Sequence, residues 1–348
     1  MKLRHLIALG VAGCAGYAAY HVYKNRDQFK AEIAEADDIS ERISTDIVKI
    51  RRSIDDINNQ LPTLQTISQD LDYKRRLFEQ ETNSRLKQIK ATLAKYQEEK
   101  NTIIRELIAI GVPENQAEIV GDCFAVADAW GVTSHGIRIL PSHIDRVKRG
   151  GYNLNPSLNI VRQTAAFAVV DGDNSFGPVS ADFCMHLAMK KAKEVGIYQV
   201  FCRNNNTMGP TFHYPLKAAE EGLIGILFSN SPAQMAPFGG REKMLGTNPF
   251  SAVIPVPGGI IIDMATSVVA KSKFKEYKEA GKPLPAGWAL DVDGKPTTDP
   301  DEGMKGLVLP MAGFKGYGIA MLIDILSGLV SGASFLDKVG RFYTEDNA

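Results

Sequence analysis

The chain has 348 residues, enough for two or three domains and a sizeable buried core. With 44% hydrophobic and 23% charged residues it has an ordinary globular composition, and 40 acidic residues balance 40 basic ones to a formal net charge of zero. That balance argues against a nucleic-acid binder with a strongly basic surface and against an acidic disordered tail.

Residues 1–5 are basic, and residues 6–20 form an unbroken apolar or small run that Val22 and Tyr23 extend toward Lys24 and Arg26. A membrane-spanning helix needs about 20 apolar residues, so residues 1–26 read as a short membrane anchor with snorkelling flanks. A cleaved secretory signal is one alternative. A lipoprotein signal, with Val11-Ala12-Gly13-Cys14 as its lipid-attachment box, is another. Basic residues on both sides leave the orientation of an anchor open.

Between Tyr17 and Ile110 there is no glycine and a single proline, Pro62. Residues 27–100 read as long helix, in which Ile43, Ile47, Ile50, Ile54, Ile57, Leu61 and Leu64 alternate spacings of four and three. That is the seam of a coiled coil, interrupted where Pro62 kinks or ends the first helix. A hairpin packing on itself and an oligomerising coiled coil fit this pattern equally well.

From Asn101 the pattern becomes mixed, and beyond Gly111 glycine and proline recur as in an α/β enzyme with short turns. Helices are predicted over residues 101–110 and 114–130, each closed by a glycine, and over 180–195, 214–221 and 317–330. Strands are predicted over 166–170, 199–202, 224–229 and 260–263. The cysteines Cys14, Cys123, Cys184 and Cys202 contain no C-x-x-C pair, so neither a zinc ribbon nor a disulfide framework is expected. Buried or inert thiols are the expectation for the last three.

No Walker A sequence, no G-x-G-x-x-G after a strand, no H-E-x-x-H and no G-x-S-x-G occurs, so no metal site and no hydrolase nucleophile is expected. Polar clusters instead punctuate the ends of predicted elements: Ser134-His135-Gly136, Asn204-Asn205-Asn206-Thr207, Ser229-Asn230-Ser231-Pro232, Gly246-Thr247-Asn248-Pro249, Asp263-Met264-Ala265-Thr266-Ser267 and Lys315-Gly316-Tyr317-Gly318. Carboxyl ends of strands and helix N-termini are where α/β proteins hold ligands.

Together with Asp171-Gly172-Asp173-Asn174, Phe238-Gly239-Gly240-Arg241-Glu242, Gly287-Trp288-Ala289-Leu290-Asp291 and Pro296-Thr297-Thr298-Asp299-Pro300, these clusters make residues 107–335 resemble the malate/lactate/ureidoglycolate dehydrogenase family. This family is distinct from the lactate and malate dehydrogenases of Rossmann type. The resemblance implies an oxidoreductase moving a hydride between NAD or NADP and a small 2-hydroxy or 2-oxo acid, usually as a homodimer. It assigns His135 as general acid/base, the group whose pKa suits that work. It also assigns Ser231, Asp263, Met264, Ala265 and Lys315 to the nicotinamide cofactor. Thr207 stands where many members carry a second histidine; a hydroxyl there donates a hydrogen bond but holds no proton near neutral pH. Arg138, the candidate for binding the substrate carboxylate, lies one position before the family's arginine, a shift that turns a helical side chain by about 100°. Gly239, Gly240 and Asn248 read as turn-formers, and His213 as packing.

The resulting expectation is an α/β, non-Rossmann 2-hydroxyacid dehydrogenase-like fold over residues 101–348, truncated at its C-terminus. A membrane segment (1–26) and a helical coiled coil (27–100) precede it. The catalytic part is expected on the cytoplasmic side of a membrane, or in the cytoplasm if the N-terminal segment is a fusion artefact. The alternative is a membrane-tethered coiled-coil scaffold carrying an inactive dehydrogenase fragment. No nucleic-acid partner is expected.

Overall fold

The computed structural model describes residues 38–53 and 63–342. The expected membrane segment, residues 1–26, and the part of the seam at residues 54–62 lie outside the described residues. Among the described residues no helix is long and apolar enough to cross a membrane. The chain divides into two compact units meeting between Glu98 and Glu99.

In the first unit, residues 38–53 are helical and helix α1 spans Thr63–Ala109. Arg51 pairs with Asp72, 21 positions further along. The seam is not buried here: Ile43 and Ile50 remain 39% and 46% exposed.

The second unit does not open with a new helix at Asn101, because residues 101–109 are the end of α1. No glycine or proline interrupts 63–110, and the polar pair Asn101-Thr102 is no helix breaker. Helix α2 (Glu114–Ala129) follows, with Gly111 (φ 92°) and Gly131 (φ 77°) supplying the left-handed turns at the ends of α1 and α2. Helix α3 (Leu140–Lys148) leads into a three-stranded sheet of β1 (Asn159–Gln163), β2 (Phe167–Ser175) and β3 (Gln199–Asn205). β1 is antiparallel to β2, while β2 and β3 are parallel through the crossover helix α4 (Gly177–Val195).

Helix α5 (His213–Glu220) then packs under an antiparallel meander of β4 (Gly225–Phe228), β5 (Phe250–Ile254) and β6 (Ile260–Met264). Helix α6 (Ser272–Glu279), the short strands β7 (Ala289–Leu290), β8 (Pro296–Thr297) and β9 (Leu307–Val308), and helix α7 (Pro300–Lys305) complete a third small sheet. Asp299 caps α7, its carboxylate accepting from Asp301 N and Glu302 N. Helix α8 (Phe314–Asp324) continues into a wider turn over Ile325–Leu329. The class is α/β, and among the described residues no sheet has more than three strands, so this is no doubly wound dinucleotide fold.

One core gathers Ile103 and Leu107 of α1, Val120 and Phe124 of α2, Phe176, Met185 and Tyr214. A second joins Met235, Leu245, Phe274, Leu284, Val308 and Ala320. The carboxyl ends of β3, β4 and β6 and the start of α8 carry the polar clusters picked out in the sequence.

Candidate functional site

His135 sits in a turn whose shape depends on a missing side chain. Beyond α2 the chain makes two short helical turns, Thr133–His135 and Ile137–Ile139, with Gly136 between them. A Cβ on Gly136 would lie 2.1 Å from Asp128 Cγ, so only glycine lets that carboxylate come so close. Asp128 Oδ2 there accepts a hydrogen bond from Ile137 N at 2.6 Å, folding the turn back on α2. Ser134 Oγ lies 2.9 Å from His135 Nδ1, which leaves Nε2 as the open ring nitrogen. The residue is exposed, yet enough protein surrounds the ring to hold its pKa below the ordinary imidazole value. The nearby carboxylate of Asp263 works the other way and favours the protonated ring.

Asp263 is fixed at the end of β6. Its Oδ1 accepts from Thr211 Oγ1 at 2.7 Å and from Ser251 Oγ, and the two hydroxyls are 2.8 Å apart. Thr211 belongs to the loop that leaves β3 through Thr207. That loop is pinned upstream by the fully buried Arg146, whose Nη2 donates to Asn206 Oδ1 at 2.9 Å. Asn206 Nδ2 donates in turn to Asn174 Oδ1 and Ser175 O. The carbonyls of Asn206 and Thr207 approach within 2.3 and 2.2 Å of where a Cβ of Gly177 would stand, another contact open only to glycine.

The remaining loops are tied to one another. Asn248 is buried, and its side chain accepts from Ser231 N at 3.0 Å and donates to Ala320 O of α8 at 2.9 Å. Asn248 is therefore a tie between three segments as well as a turn residue (φ 28°). Thr266 N donates to Thr247 O, Met311 N to Thr266 O, and Gly316 N to Met311 O. Ser231, Ala265 and Lys315 thus lie on one hydrogen-bonded set of loops. Gly313 (φ 62°) places α8 with no side chain capping its first N–H groups, and Lys315 is exposed in that first turn.

Of the residues singled out in the sequence, His135 lies in the field of Asp263, whose carboxylate is bonded from the loop that runs on from Thr207, while Ser231, Ala265 and Lys315 sit on segments joined through intervening hydrogen bonds. Met264 is set apart in one respect. Successive strand residues face opposite sides of a sheet, so its side chain points away from that of Asp263 and is 41% exposed. Arg138 is exposed on the turn beside His135, with no ion pair among the described residues. His213 is fully buried, as a packing residue would be. Cys123 and Cys184 are buried and Cys202 half-buried. Sequence reading missed Asp128, Arg146, Thr211 and Ser251; each acts through a partner that only folding brings near.

An α/β unit without a doubly wound sheet, with an imidazole on the turn after α2 near a carboxylate fixed at the end of β6, suits an oxidoreductase of non-Rossmann type. Residues 94–348 match the family model described as malate/L-lactate dehydrogenase. The malate dehydrogenase of Pyrococcus horikoshii is 43% identical over 242 residues, covering 67% of each chain. A ureidoglycolate dehydrogenase (NAD(+)) of Escherichia coli is 35% identical over 248 residues, covering 71% of this chain and 70% of that one. The solved sulfolactate dehydrogenase of Methanocaldococcus jannaschii superposes with a TM-score of 0.68 at 42% identity, covering 72% of each chain. The chain belongs to the malate/L-lactate dehydrogenase family. It is an oxidoreductase of 2-hydroxy acids that works with NAD or NADP.

Proposed function

We propose that this chain moves a hydride between NAD(P) and C2 of a small 2-hydroxy acid of the malate, lactate, sulfolactate or ureidoglycolate kind, with His135 handling the hydroxyl proton. The observation that carries this reading is His135 Nε2, left open by the Ser134 contact and lying within the field of Asp263. The donor set suits a dinucleotide. Asp263 has its second carboxylate oxygen available as an acceptor for an amide or ribose hydroxyl. The exposed ammonium of Lys315, in the first turn of α8, suits a phosphate. Ser231 Oγ and the backbone of Ala265 lie on the same set of loops. When bound, the nicotinamide supplies or accepts the hydride.

The chain's residues do the rest. With its pKa held down, His135 is neutral at neutral pH and takes the hydroxyl proton at Nε2 as the acid is oxidised. Asp263 stabilises the imidazolium so formed. Arg138 holds the substrate carboxylate, and Thr207 donates a hydrogen bond without taking a proton. The test is steady-state oxidation of NADH and NADPH by the full chain with oxaloacetate, pyruvate and 3-sulfopyruvate. His135→Ala is expected to lower kcat about 100-fold or more, and an unchanged kcat would remove His135 from the mechanism.

The functional form is a homodimer. One face of the β4–β5–β6 sheet presents Ile226, Phe228, Phe250, Ile260, Ile262 and Met264, none of them buried; Ile226 and Ile260 are 59% and 49% exposed. An apolar face of this kind suits a second copy of the same chain. Light scattering is expected to give twice the chain mass, falling to a single mass in Ile226→Lys; a monomeric native chain would refute it.

A further inference from the structure

Thr211 and Ser251 lie on different elements, one in the loop before α5 and one in the middle strand of the meander. Both are at least nine-tenths buried, and their hydroxyls converge on the same atom, Asp263 Oδ1. A hydroxyl has one proton to give and a carboxylate oxygen two lone pairs, so both can donate to Oδ1 at once. With both protons given to Oδ1, the 2.8 Å between the hydroxyls is the spacing of two donors on one shared acceptor. Register places Ser251 directly opposite Asp263 on β6, on the sheet face turned toward α5. The clamp therefore takes one carboxylate oxygen, fixes the plane of the group and leaves Oδ2 as the outward acceptor.

We infer that Thr211 and Ser251 are positioning residues for the nicotinamide cofactor, acting through Asp263. This inference rests on the reading of Asp263 as a cofactor residue. Without the clamp, the carboxylate of the exposed Asp263 rotates about its own bond and must be ordered each time cofactor binds, which weakens binding. The loss falls on cofactor affinity, because a carboxylate free to rotate keeps its charge near His135 and still favours the imidazolium. Chemistry with bound cofactor is then close to normal.

The test measures KM and kcat for NADH and NADPH, with cofactor Kd by fluorescence titration, in the full chain. The variants are Thr211→Val, Thr211→Ser, Ser251→Ala and Asp263→Ala, each checked for folding by circular dichroism and melting temperature. Thr211→Val is expected to raise cofactor KM and Kd about tenfold, the loss of roughly one charge-assisted hydrogen bond, with kcat changed less than threefold. Ser251→Ala should shift them in the same direction, Thr211→Ser should restore native values, and Asp263→Ala should exceed all three. Weak binding in Asp263→Ala beside a native Kd in folded Thr211→Val and Ser251→Ala overturns the positioning role alone. Native cofactor affinity in Asp263→Ala overturns it together with the assignment of Asp263. Failure of Thr211→Ser to restore affinity also overturns it, since a hydroxyl at that position is all the clamp requires.

Discussion

A Cβ on Gly136 would stand 2.1 Å from Asp128 Cγ and 2.2 Å from both carboxylate oxygens. Gly136→Ala therefore has to push the carboxylate away, break its bond to Ile137 N and move the turn that carries His135. The expected result is a stability loss of about 1–3 kcal/mol, the usual cost of overpacking, and a larger fall in kcat than in cofactor affinity. Urea unfolding and steady-state kinetics on one preparation check both. A variant with native kcat would show that the turn need not be held this way. His135 was legible in the sequence only as the residue to which the family resemblance of Ser134-His135-Gly136 points. What holds it was not. Asp128 lies nine positions from Ile137, Ser251 twelve from Asp263 and Thr211 fifty-two, and nothing in a linear reading couples such residues.

Among the elements, those with a strong apolar run are legible in the sequence, β3, β4 and β6 closely and β2 only in its first half, and polar clusters lie at the ends of β3, β4 and β6. Five strands have no counterpart in the sequence reading: β7, β8 and β9, of two residues each, and β1 and β5 for separate reasons. β1 is exposed along its whole length and shows no alternation between buried and open residues. β5 follows Pro249 and buries Ser251 within it, so it reads as turn material. The change in composition at Asn101 reads as a helix boundary, whereas α1 runs on through it because the backbone has no breaker before Gly111. Asn248 was read as a turn-former and does more, since its amide joins the loop after β4 to α8. Asn248→Ala leaves Ser231 N and Ala320 O without those partners in a buried place. It is expected to cost about 1–3 kcal/mol for each buried group left unpaired and to weaken NADH binding. Melting temperature with and without NADH measures both; an unchanged cofactor-induced shift would mean that the tie does not shape the site.

At the scale of the molecule, acid sensitivity is built into the larger unit. His143, bonded to Tyr152 through Nδ1, and His213 are both pushed down to about 3, first by burial and then by nearby cations, Arg146 and Lys217 respectively. In the unfolded chain each takes up a proton near 6.5. Between those values the unfolded state binds more protons, so stability falls as the pH falls from about 6.5 toward 3. Each histidine contributes a slope of about 1.4 kcal/mol per pH unit. Urea midpoints at pH 7 and pH 5 should differ accordingly, and His143→Gln should remove part of the difference; equal midpoints would contradict the burial of both rings. The central claim is that the strand-end loops and the His135 turn form one site aligning nicotinamide with C2 of a hydroxy acid. It is tested most directly by supplying the full chain with NADH deuterated at C4 and a 2-oxo acid, then locating the label by mass spectrometry and NMR. Deuterium carried to C2 of the hydroxy acid product, from one face of the nicotinamide only and with His135→Ala nearly inactive, is the expected result. Turnover that leaves C2 unlabelled, or full transfer in His135→Ala, would contradict it.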